Sequence, residues 1–291
     1  MANLKEIRTR ISSVKSTRQI TNAMKMVSAA KLRKAQKAIT QLRPYANKLN
    51  EILSRLGDVK GKEAENIYAK QRKEEKILLV AISSNRGLCG PFNSNIVKKI
   101  IDLTETQYAE QYKKGNVSIY TIGSKSGQIL KAKEYKIDAH FDAVYDDLNF
   151  NNVAELAEKL MTYFTDKKFD KIELVYNRFK NAAVQILTQE QFLPVRREEK
   201  YSKDNNDYIF EPSQQYIFET LIPDSLKTQL FAAVRDSYAA EQGARMTAMH
   251  QATDNAGKMI RSLTLSYNKA RQAAITKEIL EITAGAEALK T

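Results

Sequence analysis

Few residues in this sequence are of a type and spacing that could carry chemistry. The stretch "SSNRGLCGPFN" (83–93) follows a short apolar run and contains Gly87, Gly90, Asn93 and the single cysteine, Cys89. A loop of this kind, placed between a strand and a helix, could hold a phosphate on free backbone N–H groups. It matches neither the G-x-G-x-x-G nor the G-x-x-x-x-G-K-[ST] spacing. Gly87 and Gly90 therefore read as turn glycines and Asn93 as a helix cap. "GSKSG" (123–127) has the composition of a phosphate loop without its spacing, and reads as a second turn and helix start. His140 and His250 stand far apart, with no metal-ligand spacing around either. Cys89 has no second cysteine to pair with and reads as a buried thiol rather than a nucleophile. No catalytic set, metal or cofactor is expected.

Charge is the stronger signal. The chain has 291 residues, 43% apolar, with 47 Lys and Arg against 34 Asp and Glu. Residues 1–56 alone hold thirteen Lys and Arg against Glu6 and Glu51. A chain this basic suits an acidic partner. No apolar run is long enough to span a bilayer, and "MANLKEIRTR" lacks the apolar core of a signal peptide. Insertion into a membrane and export are not expected. The basic segment lacks the interleaved aromatics of a single-strand nucleic-acid binder. Two alternatives stay open on the residues alone: a basic coiled-coil nucleic-acid-binding protein and a small-molecule-binding α/β protein.

The elements that would position these residues follow from periodicity. Leu4, Ile11, Arg18, Lys25, Leu32, Ile39, Ala46 and Leu53 form one heptad row; Ile7, Val14, Thr21, Ser28, Ala35, Leu42, Leu49 and Leu56 form the other. Twelve of the sixteen are apolar, which predicts a long coiled-coil helix. The four exceptions, Arg18, Thr21, Lys25 and Ser28, are contiguous. A second long helix is predicted from near Pro223, with a seam through Met249, Thr253, Ala256, Ile260, Leu263, Tyr267, Ala270 and Ala274. That seam then slips by one residue to Ile275, Ile279, Ile282, Ala286 and Leu289. The two helices are expected to pair antiparallel, Leu4–Leu56 against roughly Pro223–Leu289. Between them, "KILLVAIS" and "VSIYTIG" read as buried strands, 93–113, 124–134 and 151–166 as helices, and "KIELVYNRF" and "AVQILTQEQFLPV" as a hairpin. The expected organisation is an N-terminal coiled-coil helix (1–56), a linker (57–75), a central Rossmann-like open α/β sheet domain (76–207), and a foot segment with the C-terminal coiled-coil helix (208–291).

These segments resemble a known family. "LKEIRTRISSVKSTRQITNAMKMVSAAKLRKAQ", "NRGLCGPFN" and "ARMTAMHQATDNAGKMI…LSYNKARQAAITKEILEITAGAEAL" are similar, in order and across the chain, to the gamma subunits of bacterial F-type ATP synthases. The resemblance implies a non-catalytic rotor shaft that couples ion flow through the membrane c-ring to ATP synthesis or hydrolysis on the beta subunits. The implied partners are three alpha and three beta subunits, epsilon and the c-ring, with no nucleic acid and with membrane contact only through the complex. The implied location is the cytoplasmic face of the bacterial plasma membrane. By the same resemblance, Met24 and Lys25 fall at the coupling segment, where many relatives have an acid in place of Lys25. Arg271, Gln272, Thr276 and Glu278 correspond to C-terminal contacts with beta. Tyr208, Phe210 and Glu211 correspond to the foot on the c-ring. The family's redox-regulated members carry an additional cysteine-containing insertion, so redox gating is not expected here.

Overall fold

The computed structural model describes residues 4–56, 67–68, 70–195 and 214–288. The chain divides into two compact units: 29–245, and 1–28 together with 246–291.

The larger unit is built on a five-stranded sheet of order β3-β2-β1-β4-β5. Its strands are β1 (Ile77–Ile82), β2 (Val117–Ile122), β3 (Ala139–His140), β4 (Lys171–Phe179) and β5 (Gln185–Leu193). Four strands are parallel, and β5 returns antiparallel along β4. β1 is buried over all six residues because it lies mid-sheet with both faces covered. Its side chains alternate. Leu78, Val80 and Ile82 face a core with α5 (Phe150–Thr165), while Ile77, Leu79 and Ala81 face one with α2 (Phe92–Glu105). α5 starts on Asn149, whose side chain accepts from the Asn152 N–H at 2.8 Å.

Two local expectations are corrected. The helix read over 93–113 is two, α2 and a short α3 (Ala109–Lys113), because the chain turns at 106–108 to bury Tyr108. Asn93 does not cap α2. Its side chain reaches back to Ser84 instead. β3 and a 3-10 turn at Asp142–Tyr145, too short to leave a periodic pattern, close the sheet edge. α4 (Ser124–Ala132) falls where expected.

The two terminal helices are α1 (Leu4–Leu56) and α6 (Gln214–Ala288). α1 runs through Pro44. α6 begins nine residues before Pro223, which lies inside it rather than in its first turn. Within the larger unit, α6 is part of the core. Ile222, Leu226, Leu230, Ala233 and Val234 pack with α5 on one face of the sheet, and Ala240 and Ala244 with α2 on the other. The helix therefore crosses the carboxyl-terminal edge of the sheet. At the crossing, the buried Ser237 hydroxyl donates to the Ile82 carbonyl, the last of β1, at 3.2 Å.

In the smaller unit the two helices are antiparallel. Thr21 meets Thr253, and Arg18 lies against Gly257. Met249, Thr253 and Ala256 are buried and Ile260, Leu263, Tyr267 and Ala270 half-buried, as the first seam predicts. The shifted seam is not one. Ile275, Ile279 and Ile282 are 46%, 55% and 70% exposed. At ~1.5 Å per residue along each helix, the Thr21–Thr253 register brings Leu4 opposite roughly residue 270. The described part of α1 begins at Leu4, so among the described residues the expected pairing does not extend over the shifted seam.

Candidate functional site

In doubly wound folds a ligand binds outside the carboxyl ends of the strands, where the order of connection reverses. Here that point is the end of β1, between β2 and β4, and every element around it is bonded to another part of the chain. The Ser84 N–H donates to Asn93 Oδ1 (3.1 Å), Ser124 N–H to Asn85 Oδ1 (3.1 Å), Lys125 N–H to the Ser84 carbonyl (3.0 Å) and Ser126 N–H to Ser83 Oγ (3.1 Å). Ser83, Ser84 and Ser126 are fully buried. The turn glycine at 123 has φ +94°, and a Cβ there would stand 2.2 Å from the Ser83 carbonyl oxygen. Any side chain would push β2 off β1. The Ser84 N–H and the first N–H groups of α4 are thus engaged within the chain.

α6 closes what remains. Arg245, 7% exposed, pairs with Glu241 one turn earlier and donates from Nη2 to the carbonyls of Arg86 (2.9 Å) and Gly87 (3.2 Å). Burial raises the Glu241 carboxyl above its ordinary value, and Arg245 partly offsets this. Cys89 is 1% exposed, and burial raises its thiol too, which keeps it protonated and unreactive. His140 bonds Thr121 at 2.8 Å, while His250 is exposed beside Asp254. Among the described residues, no group of His, Cys, Asp and Glu is placed to hold a metal ion. Sequence reasoning found the glycine loop but missed Arg245 and Glu241. Their i, i+4 spacing reads as a surface pair until the tertiary structure buries it.

The polar stretch of the α1 seam has a geometric basis. Thr21 and Ser28 are buried, Lys25 is half-buried and Arg18 is exposed, its guanidinium over the open backbone of Gly257. The Thr21 and Thr253 hydroxyls lie 2.8 Å apart. Each has a further acceptor on its own helix, Arg18 O at 3.1 Å and Met249 O at 2.8 Å. Each hydroxyl carries one proton, so the chain of bonds can run in either direction and the bond between the helices is kept in both. Apolar side chains at this level point outward: Ile20 is 60% exposed, Met26 58% and Val27 55%.

The remaining expected site residues fall into separate places. Met24 and Lys25 are half-buried on α1. Arg271, Gln272, Thr276 and Glu278 are all exposed on the unpaired end of α6, where the Thr276 hydroxyl bonds back to the Gln272 carbonyl at 2.9 Å. In the Thr21–Thr253 register, Lys25 lies opposite about residue 249, so the two groups stand roughly 35–45 Å apart along the helix. Tyr208, Phe210 and Glu211 lie outside the described residues. No described helix is long and apolar enough to cross a membrane.

A model of the ATP synthase family matches residues 3–289. The sequence is 56% identical over 289 residues to the ATP synthase gamma chain of Christiangramia forsetii, with 99% of each chain covered. It is 43% identical over 291 residues to that of Chlorobaculum tepidum, with all of both chains covered. Among solved structures, the fold is similar to a chain of the Tetrahymena thermophila mitochondrial ATP synthase central stalk and c-ring, with a TM-score of 0.59, 26% identity and coverage of 80% of this chain and 99% of that one. A chain of the Euglena gracilis mitochondrial ATP synthase shares the fold at a TM-score of 0.68 and 21% identity, over 98% of this chain and 94% of that one.

Proposed function

Because the chain belongs to the gamma-chain family of ATP synthases, we propose that it is the central rotor shaft of an F-type ATP synthase. It turns within three alpha and three beta subunits and is carried on epsilon and the c-ring. It couples ion flow to ATP synthesis or hydrolysis without supplying a catalytic residue. The enzyme complex sits on the cytoplasmic face of a bacterial plasma membrane, and this subunit meets the membrane through the complex. The sealed carboxyl edge of the sheet is the observation that carries the non-catalytic part: the place where an α/β fold would bind a nucleotide is filled by Arg245, Glu241 and the serine cluster. Neither alternative, a nucleic-acid binder or a small-molecule α/β protein, gains support from the family match. Isolated and free of alpha and beta subunits, the chain is expected to hydrolyse no ATP. Turnover above background in such a preparation would overturn this part.

In this reading residues 1–56 and 208–291 form the shaft and foot, and 76–207 form the body joined to it. Met24 and Lys25 meet beta at the outward side of the polar seam, and Arg271, Gln272, Thr276 and Glu278 meet it at the unpaired tip. Tyr208, Phe210 and Glu211 belong to the foot. A shaft that must turn gains from long-range attraction rather than interlocking apolar contacts, since a diffuse charge gives a smoother potential. Lys31, Arg33, Lys34 and Lys37 are all exposed on α1. Replacing the four together by Gln is expected to weaken assembly or coupling more at low salt than at high salt, because exposed charges are screened beyond ~8–10 Å at ordinary ionic strength. Each exposed pair contributes only about 0–1 kcal/mol, so no one of the four should matter alone. ATP-driven ion pumping in reconstituted vesicles checks this, and an unchanged ratio of pumping to hydrolysis at both salt concentrations would remove the charge from the mechanism.

A further inference from the structure

A cavity of about 560 Å³ opens in the larger unit between α1, the β4–β5 hairpin and α6. It is the size of a small-molecule site, and the proposed rotor function does not use it. Ile39, Leu42 and Leu49 of α1 and Phe179 and Ile186 of the hairpin give it apolar walls. The three α1 residues belong to the heptad rows, so at this level part of the seam lines a space.

The two ends of the cavity differ in charge. At one end Glu190 accepts from the Tyr176 hydroxyl and from Gln229 Nε2, each at 2.7 Å. Both donors are neutral, and a carboxylate can accept further bonds. Burial, with the Glu190 charge beside it, holds the Tyr176 hydroxyl above its ordinary value. Thr228, next to Gln229 on α6, lines the cavity and is 2% exposed, yet its hydroxyl makes no hydrogen bond among the described residues. Thr9, Thr17, Thr40, Thr264 and Thr276, on the same two helices, each bond the carbonyl one turn back. A buried hydroxyl without a partner is unfavourable, and a ligand at this end would supply one.

At the other end cations prevail. Arg43, Arg178 and Lys180 stand there against Asp236. Arg43 Nη2 lies 3.4 Å from Asp236 Oδ1 and 3.4 Å from the Phe179 carbonyl, so it is held closely by neither. Arg178 and Lys180 are exposed and make no ion pair among the described residues. Two elements set the distance between the ends. In the hairpin, Arg178 stands opposite Ile186, and from there to Glu190 is ~13 Å along the strand. On α6, Gln229, bonded to Glu190, and Asp236, beside Arg43, are ~10 Å apart along the axis.

We infer that this cavity binds a linear zwitterion, a small molecule with an ammonium and a carboxylate at opposite ends of an apolar stem. The ammonium, with three donors, meets Glu190 and the Thr228 hydroxyl. The carboxylate meets the Arg178 guanidinium and is drawn by Arg43 and Lys180. The stem lies on Leu42, Phe179 and Ile186. Turned round, the same molecule would set each charge against its own sign. The site follows from the cavity and its charges and not from the rotor reading, so either can fail without the other.

The test is calorimetric titration of the full chain at neutral pH with ω-aminooctanoate, whose extended length suits the cavity. Octylamine, octanoate, diaminooctane and octanedioate, on the same stem, are titrated beside it. The zwitterion is expected to bind tightest, by at least about tenfold, because each of the others loses a charge-assisted contact or meets a like charge. The shorter ω-aminobutyrate, with the same charges, should bind much more weakly. Glu190→Gln and Thr228→Val should weaken ω-aminooctanoate and octylamine but not octanoate. Arg178→Gln should weaken ω-aminooctanoate and octanoate but not octylamine. A variant that merely misfolds would lose all three ligands. Absence of binding, equal binding by the five compounds on the eight-carbon stem, or losses in the variants that do not cross in this way would each overturn the assignment.

Discussion

Replacing Arg245 by alanine is expected to destabilise the larger unit by about 3–5 kcal/mol, the range for removing one partner of a buried ion pair. The change leaves the Glu241 carboxylate, 6% exposed, without its cation, and removes the donor from the Arg86 and Gly87 carbonyls. The loss should depend on pH. Glu241 already holds its proton more tightly in the folded chain than its ordinary value of 4.5, because burial disfavours the charge. Without Arg245 that shift grows. A carboxyl raised in the folded state favours folding where it is protonated, and that contribution is lost as pH rises through its folded value. The difference in stability between parent and Arg245→Ala should therefore be largest at neutral pH and shrink on approach to pH 4.5. Replacing both residues, Arg245→Met with Glu241→Leu, should recover most of the loss, because an apolar pair leaves no buried charge. Urea unfolding of the full chain at several pH values reads all three. A single-variant penalty that does not vary with pH would show that Glu241 is not the group left exposed to the change.

Leu230→Ala should cost about 2–5 kcal/mol, the range for deleting a fully buried leucine side chain. Leu230 is 0% exposed and stands among Ile222, Leu226, Ala233 and Val234, the α6 residues packed with α5 and the sheet. The prediction separates two ways in which a long helix could belong to a domain. If α6 only leaned on the sheet, the site would relax and the loss would fall below the range. If α6 is a layer of the core, as its passage over the end of β1 indicates, the cavity persists and the loss is large. In the proposed rotor the same packing makes α6 and the sheet turn together. Leu230→Ala should then also lower the ratio of ion pumping to ATP hydrolysis in the assembled complex. A change of less than about 1 kcal/mol, as for a surface site, would contradict this.

Several features were legible in the sequence because they follow from periodicity. The α1 heptads are those of the observed seam, from the half-buried Leu4 and Ile7 to the buried Leu32, Ala35 and Ile39. The apolar run of β1 and the hairpin of β4 and β5 were equally clear. The slip at Ile275 was read as a seam because apolar spacing records that a face has a partner, not which chain provides it. In this structure that face is bare, and in the proposed function alpha and beta cover it. The closure of the glycine loop could not be read at all. It depends on Arg245 meeting carbonyls nearly 160 residues away in sequence, and on α6 passing the end of β1. Neither leaves a local signal, since serines and an i, i+4 Glu–Arg pair fit a solvated helix equally well.

The central claim is that this chain turns while the subunits around it do the chemistry. It is tested most directly by assembling the chain with alpha and beta subunits, fixing those to a surface, and following a bead on the exposed position 131 through Lys131→Cys. With ATP added, the account predicts stepwise rotation in one direction, which stops when ATP is withdrawn. A bead that stays still, or jitters without direction, while the same particles hydrolyse ATP would contradict it.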